Sequence, residues 1–226
     1  MSFILCLLIY CIKSLDNDVI EKGPLLSDGQ TPKTSCDHTD ISPGTASIVI
    51  KTTDDPYQYC QNLESKTFTF DSGVTSIDEY FFYRSNVGTV TLSTGITSIG
   101  RGAFAFCPFL KLSIPSHPAN TYLTIGEGAF YKSALTVTSM PAEGLNIDNF
   151  GSHAFYSCNK ITTLTVNLYC NVPESAFEHF GISSTGQNTL TVSLKRKPSL
   201  THFYTIGANA FAYSSIKELE MPAYIE

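Results

Sequence analysis

Apolar residues recur along the chain in a fixed arithmetic. After Leu63 they fall at Phe68, Phe70, Val74, Ile77 and Phe82, then at Val90, Leu92, Ile96, Ile99 and Phe104, with spacings of 2, 4, 3 and 5 both times. Two apolar positions two apart, with threonines between and beside them, describe a short strand that buries alternate side chains. Neither a helical period nor a heptad follows. Instead comes a phrase of aliphatic, glycine, two variable positions and Ala-Phe: "IGRGAF" at 99–104, "IGEGAF" at 125–130, "FGSHAF" at 150–155, "VPESAF" at 172–177 and "IGANAF" at 206–211, with a degenerate "IDEYFF" at 77–82. The repeat phenylalanines Phe82, Phe104, Phe130, Phe155, Phe177 and Phe211 are 22, 26, 25, 22 and 34 residues apart. Self-similarity at this period is the signature of a stacked solenoid, whereas a catalytic motif is normally present once.

Further strands are expected at 110–115, 136–141, 163–168, 190–194 and 219–222, three of them ended by Pro115, Pro141 and Pro222, where a missing amide donor costs least. Gly100, Gly126, Gly151 and Gly207 stand where the coil must turn, and are expected to adopt positive φ. Pro173 occupies the same slot and cannot do so, which predicts a different turn at 172–177. Ala103, Ala129, Ala154, Ala176 and Ala210 are expected at the tightest contact between coils, since stacked strands lie only about 4.8 Å apart. In the first copy Phe81 replaces this alanine and is expected to cover the open end of the core, and the repeat phenylalanines to form an inward aromatic spine.

Three features together, the strand of the form Leu-x-x-Ile-x-Ile-Pro, the Ile-Gly-x-x-Ala-Phe phrase and a Cys or Ser three residues later (Ser85, Cys107, Ser133, Cys158, Ser214), resemble the BspA-like leucine-rich repeat family. The resemblance covers about residues 63–226. It implies a β-rich leucine-rich-repeat solenoid: a curved right-handed coil with short parallel strands on one face and turns or short helical segments on the outer face. It also implies a secreted or surface protein of the surface-antigen and adhesin type, binding a host or cell-surface protein or glycan without catalysis. A structural or decoy antigen and an internal scaffold are the alternatives. The departures are Pro173, the insertion between Phe177 and Phe211, and an ending inside a further coil at 215–226. That ending reads as a truncated product whose uncapped last coil offers an end for association.

The domain plan is a signal peptide at 1–14, a polar linker or arm at 15–45, an N-terminal cap at 46–62 and a solenoid of about six coils from 63 to 226. An unbroken apolar run from Phe3 to Ile12 is too short to span a bilayer but matches the core of a secretory signal, so the chain is expected to be secreted or displayed. The other reading of this run is a buried N-terminal strand. No later stretch reaches the length of a membrane helix. Of the seven cysteines, Cys6 and Cys11 would leave with the signal. Cys107 and Cys158 exchange with serine in the repeat and read as buried, inert thiols. Cys36 and Cys60 could close a disulfide in a secreted protein, with Cys170 as a competitor, and the connectivity stays open.

Charge and chemistry narrow the picture further. With 14 basic against 20 acidic residues, the chain lacks the basic face that sequence-independent nucleic-acid binding needs. The "KRK" at 195–197 reads as a solvated insertion. His38, His117, His153, His179 and His202 are scattered, and "CDHTD" at 36–40 reads as part of an exposed polar arm rather than a metal site. Neither a nucleophile elbow nor a phosphate loop is present, and no asparagine lies in an N-x-Ser/Thr sequon. A parallel β-helix enzyme would need clustered ionisable residues on neighbouring coils. The outward strand positions are instead Thr69, Thr91, Ser113, Thr138, Thr165, Ser193 and Glu220. No catalytic, cofactor or metal residue is assigned, and this hydroxyl ladder is the candidate partner-binding face. Threonine also simply suits an exposed strand, and the inserts at 115–122 and 180–189 are the other places that could carry recognition.

Overall fold

Threonine alternating with a large apolar residue, as in Thr67-Phe68-Thr69-Phe70, buries every second side chain against the interior of a coil. The computed structural model describes residues 20–23, 34–38, 45–118, 120–181, 189–195 and 204–221. The chain divides into two compact units, Met1–Thr34 and Ser35–Glu226. Of the first, only residues 20–23, with a helical turn at 20–22, and Thr34 are described, so the segment expected as a signal lies outside the described residues.

In the second unit the strands are β1 (Ser47–Ile50), β2 (Thr67–Phe70), β3 (Ser76–Ile77), β4 (Thr89–Thr91), β5 (Ser98–Ile99), β6 (Lys111–Ser113), β7 (Leu123–Ile125), β8 (Thr136–Ser139), β9 (Leu145–Phe150), β10 (Thr163–Leu168), β11 (Thr189–Leu194) and β12 (Ile216–Glu220). Every strand pairing is parallel, which makes the fold a β-solenoid. The strands form two sheets rather than one. A five-stranded sheet runs β1-β2-β4-β6-β8, and a seven-stranded sheet runs β12-β11-β10-β9-β7-β5-β3. Ile77, Ile99, Ile125 and Phe150, which open the repeated phrase, thus end a second short strand in each coil.

The change of sheet happens at β9. Its first half pairs with β10 (Leu145↔Val166, Ile147↔Leu168) and its second half with β7 (Phe150↔Ile125). A turn from Pro141 to Gly144, closed by Gly144 N–H donating to Pro141 O at 3.0 Å, lets β9 begin early. Gly144 has φ 86, a conformation that glycine takes without a Cβ penalty.

Outside the strands each coil closes through a nine-residue turn whose amides alternate in direction. In the second copy Ala103 and Ala105 N–H donate within the coil to Gly100 and Gly102 O, at 3.3 and 3.0 Å. Gly102, Phe104 and Phe106 N–H donate instead to the next coil, to Glu127, Ala129 and Tyr131 O at 3.0, 2.7 and 2.8 Å. Left-handed φ falls at the fourth and eighth positions: Gly102 and Phe106, Gly128 and Lys132, His153 and Ser157, Ser175 and His179, Asn209 and Tyr213.

That pattern corrects the expected role of the second-position glycines. None of Gly100, Gly126, Gly151 and Gly207 has positive φ. They are glycines because of backbone approach: a Cβ on Gly151 would stand 2.2 Å from Glu127 N, and one on Gly207 2.4 Å from Glu174 N. Each also donates to the aliphatic carbonyl of its neighbouring coil, as Gly151 N–H does to Ile125 O at 2.7 Å. The expected different turn at Pro173 is also absent. Ser175 and His179 keep φ 52 and 53 and donate to Ala208 and Ala212 O like their counterparts. Proline lacks only the amide that would have reached Phe150 O, so the stack loses one rung and keeps its turn.

The core runs the length of the stack. Phe82, Phe104, Phe130, Phe155, Phe177 and Phe211 stack in sequence with centroids 5.0 to 5.6 Å apart and interplanar angles of 13° or less. Ala103, Ala129, Ala154 and Ala176 are fully buried beside them. The segment before the first full copy extends this column. Tyr57 stacks on Phe82 at 5.8 Å, Cys60 sits three residues later as in the repeat, and β1 pairs β2 residue for residue. Residues 47–62 are therefore a shortened coil. Phe81 is buried between Tyr57 (5.9 Å) and Phe82 (4.9 Å), where the larger ring occupies the alanine position.

Candidate functional site

The seven outward residues do not form one ladder. Thr69, Thr91, Ser113 and Thr138 lie on the five-stranded sheet, whereas Thr165, Ser193 and Glu220 lie on the seven-stranded one. On the first sheet Thr91 is opposite Ser113, and Ser113 is opposite Ser139 rather than Thr138, because the register shifts between Leu112 and Ser113. Thr138 instead donates its hydroxyl to Leu112 O at 3.2 Å. A second outward row, Thr67, Thr89, Lys111 and Thr136, runs beside the first in matched register. Sequence reasoning passed over it, although the recurring Thr-x-Thr of β2, β4 and β8 was its signal. The hydroxyls of Thr69, Thr91 and Ser113 are half-buried and have no hydrogen-bond partner among the described residues.

In the second group Ser193 and Glu220 are satisfied internally, whereas the Thr165 hydroxyl has no partner among the described residues. Thr165 is opposite Thr191, not Ser193; Ser193 lies between Asn167 and Glu220. Asn167 Nδ2 donates to Glu143 O at 2.7 Å and to Asn146 Oδ1 at 3.1 Å. Ser193, itself buried, donates its hydroxyl to Glu220 Oε2, and Lys195 Nζ approaches the same oxygen at 3.2 Å. These contacts, the Ser193 hydrogen bond first and Lys195 second, hold the Glu220 carboxyl below its ordinary pKa. Polar groups that already bond one another offer less to a ligand than the open hydroxyls of the five-stranded sheet.

A family model described as the BspA type leucine rich repeat region, in 6 copies, matches residues 51–183 and 118–226. The chain belongs to the BspA-type leucine-rich repeat family. No curated protein and no solved structure matches the chain. The first matched residue, Lys51, lies inside the shortened coil, so the family repeat and the stacking geometry agree that the array begins before Leu63.

In this BspA-type array the turns also carry a row of rings that sequence reasoning missed, buried at Tyr83 and Tyr131 and exposed at Tyr213. The rings follow one another from turn to turn: Tyr83 to Phe106 (5.7 Å), Phe106 to Tyr131 (5.5 Å), Tyr131 to Tyr156 (4.9 Å), Tyr156 to His179 (5.8 Å) and His179 to Tyr213 (4.9 Å). The Arg84 guanidinium lies 4.3 Å from the Phe106 centroid, and Lys132 Nζ 5.1 Å from that of Tyr131, in cation–π range. The signal was an aromatic ring at one of the two residues after each repeat phenylalanine, masked because the position alternates between copies.

The sites read as chemically quiet have specific surroundings. Cys107 and Cys158 are fully buried and donate their thiols to Phe82 and Phe130 O, both at 3.0 Å. Burial pushes both thiols up to about 12, against a lowering by the Ser85 and Ser133 hydroxyls. Cys60, in the equivalent slot of the shortened coil, is joined to Cys36 in a disulfide, and Cys170 is a free thiol. That pairing takes Cys36 out of "CDHTD", and His38 is not on a free arm: its ring stacks on Tyr57 at 3.9 Å and bonds Asp55 O at 3.0 Å. His117 bonds Ile96 O at 2.9 Å, His153 and His179 belong to the row of rings, and His202 lies outside the described residues. Among the described residues no three His, Cys, Asp or Glu side chains converge on a metal-sized site, and no helix is long and apolar enough to cross a membrane.

Proposed function

We propose that this BspA-type protein works by adhesion: a secreted or cell-surface, non-catalytic chain that presents the hydroxyl rows of β2, β4, β6 and β8 to a host or cell-surface protein or glycan. The observation that carries this reading is the row Thr67-Thr89-Lys111-Thr136 in matched register, beside Thr69, Thr91 and Ser113, whose hydroxyls have no partners among the described residues. Each hydroxyl both donates and accepts, and the coil spacing repeats them every ~4.8 Å. A single such hydrogen bond contributes about 0.5–1.5 kcal/mol, so affinity on this face comes from number and register rather than from one anchor. The Cys36–Cys60 disulfide supports an oxidising compartment.

The test is saturable binding of the full chain to immobilised glycans and matrix proteins, repeated with Thr69→Asp and Thr91→Asp together. The expected result is a loss of at least about tenfold in affinity with an unchanged melting temperature. Binding that ignores both charges places the contact elsewhere. Surface labelling of intact cells, with mass spectrometry of the mature N-terminus, tests export separately. A labelled chain starting after about residue 14 fits a cleaved signal, and an unlabelled chain that retains Met1 refutes it.

A further inference from the structure

The shortened first coil leaves a place in the stack unfilled. After β1 the chain turns at once: Lys51 N–H donates to Asp54 Oδ2 at 2.9 Å, Asp54 N–H to Lys51 O at 3.2 Å, and the backbone returns to Tyr57 without a second strand. Every later coil up to β9 supplies that second strand. Among the described residues its absence leaves β3 as a sheet edge, paired with β5 on one side only. A cavity of about 110 Å³ lies there. None of its lining residues comes from the coil of β4 and β5, so it opens on the unpaired side of β3. Its floor is apolar, formed by Ile50, Phe70, Ile77 and Phe81, and its rim carries Asp54 and Asp78 against one ammonium, Lys51.

Later coils show what fills this position elsewhere. Their second strands donate backward, Thr97 N–H to Thr75 O at 2.9 Å and Gly100 N–H to Ile77 O at 2.8 Å, and each places one large apolar side chain inward. The equivalent donors flanking β3, Thr75 and Asp78 N–H, have no earlier strand to meet among the described residues. We propose that this edge and cavity form a strand-addition site for an extended segment of a partner polypeptide, one aliphatic side chain entering the cavity and a basic residue lying near Asp54 and Asp78. Main-chain hydrogen bonds would supply affinity and the pocket would supply selectivity. Asp78 stands in the slot that is glycine in Gly100, Gly126 and Gly151, where a Cβ comes within 2.2 to 2.7 Å of the neighbouring backbone. That crowding favours an occupant that is a short strand diverging after the level of Ile77, although Pro173 shows that a coil can stack over a Cβ in this slot. This site is separate from the hydroxyl rows, so it stands or falls independently of them.

The chain itself supplies a probe: a blocked synthetic peptide of residues 96–103, Ile-Thr-Ser-Ile-Gly-Arg-Gly-Ala, which carries the aliphatic anchor, the glycine and the cation in order. Titrated into the isotope-labelled full chain, it is expected to saturate with amide shifts centred on Thr75 to Asp78. The peptide bearing Ile99→Asp is expected to lose binding, and the one bearing Arg101→Glu to weaken severalfold. In the protein, Gly73→Leu closes the cavity mouth. A Cβ there meets only Thr52 Cγ2, at 3.8 Å, so the fold is expected to survive and affinity to fall at least about tenfold. No saturation at millimolar peptide, or binding indifferent to both Ile99→Asp and Gly73→Leu, overturns the site. A dimer in light scattering that Gly73→Leu dissolves would make a second copy the occupant, and would overturn the partner assignment.

Discussion

Replacing Gly151 by alanine tests why the repeat carries its second-position glycine. The added Cβ would stand 2.2 Å from Glu127 N, 2.5 Å from Gly126 C and 2.6 Å from Glu127 Cα, all backbone atoms of the preceding coil. Ordinary contact begins at 3.4 Å, so the coils must part locally by at least 3.4 − 2.2 = 1.2 Å. The hydrogen bond from Gly151 N–H to Ile125 O, now 2.7 Å, would then exceed bonding distance. Overpacking of this kind costs about 1–3 kcal/mol, and the lost bond about 1 kcal/mol more, for a sum near 3 kcal/mol. The control is Gly128→Asn. Gly128 has φ 56 and Asn209 holds the equivalent place at φ 55, so asparagine there should cost only about 1 kcal/mol. Urea unfolding followed by circular dichroism gives both differences from the midpoints, and hydrogen exchange at residues 125 and 151 locates the first. If Gly128→Asn proves as costly as Gly151→Ala, or costlier, the glycine slot serves φ after all and the close-approach account is wrong.

Phe130→Ala removes a ring that is 1% exposed and stacked between Phe104 and Phe155, and should cost about 3–5 kcal/mol; Phe211→Ala, at a partly buried ring stacked on Phe177, should cost about half as much, both read by urea midpoints. Cys107→Ser should be tolerated within about 1.5 kcal/mol because Ser85 and Ser133 fill the same slot, and thiol titration of the native protein at pH 8 should leave Cys107 and Cys158 unmodified. Reducing Cys36–Cys60 opens a loop of 24 residues, worth about 3 kcal/mol of chain entropy, and thermal scans with and without phosphine reductant should show the loss. Glu220 has a lowered folded pKa, so its contribution is present above the ordinary carboxylate value of 4.5 and is lost as pH falls through the lower folded value. Protection of the β12 amides, corrected for intrinsic exchange, should follow that curve in the native chain and become pH-independent in Glu220→Gln.

What the sequence made legible was whatever repeats within one coil. The phenylalanine column, the buried alanines and the Cys/Ser slot depend on a position's place in its own turn, and each copy states them again. What it hid depends on neighbours some 25 residues away. Gly151 and Gly128 look alike in sequence, yet one is glycine for a backbone that lies across the coil boundary and the other occupies a left-handed turn. Thr138 and Thr165 seem to continue the row of Thr91, but a register shift after Leu112 puts Ser139 in the place of Thr138, and the early start of β9 after Pro141–Gly144 moves the later strands, with Thr165, onto the other sheet. The candidate face was read in outline through Thr69, Thr91 and Ser113. Its second row at Thr67 and Thr89 was missed because a residue at a strand's first position shows no alternation on its N-terminal side. Residues 47–62 hid their kinship by exchanging phenylalanine for Tyr57 and omitting a strand.

Each coil sends amides both ways from fixed places in its period, as Gly126 N–H to Ile99 O in the earlier coil and Phe104 N–H to Ala129 O in the later one illustrate. A coil consequently has two unlike faces, each a fixed mosaic of donors and acceptors that matches the opposite face of its neighbours. A gene segment cut at one point of the period and rejoined at the same point of another copy therefore brings together surfaces that already fit. Unequal exchange between copies can lengthen or shorten such a protein in whole coils while the rules of folding stay the same. The places where the mosaic is altered, Pro173 with its missing amide and Asp78 with its added Cβ, mark coils that are no longer interchangeable, and a lineage of such chains should lose and gain its copies elsewhere.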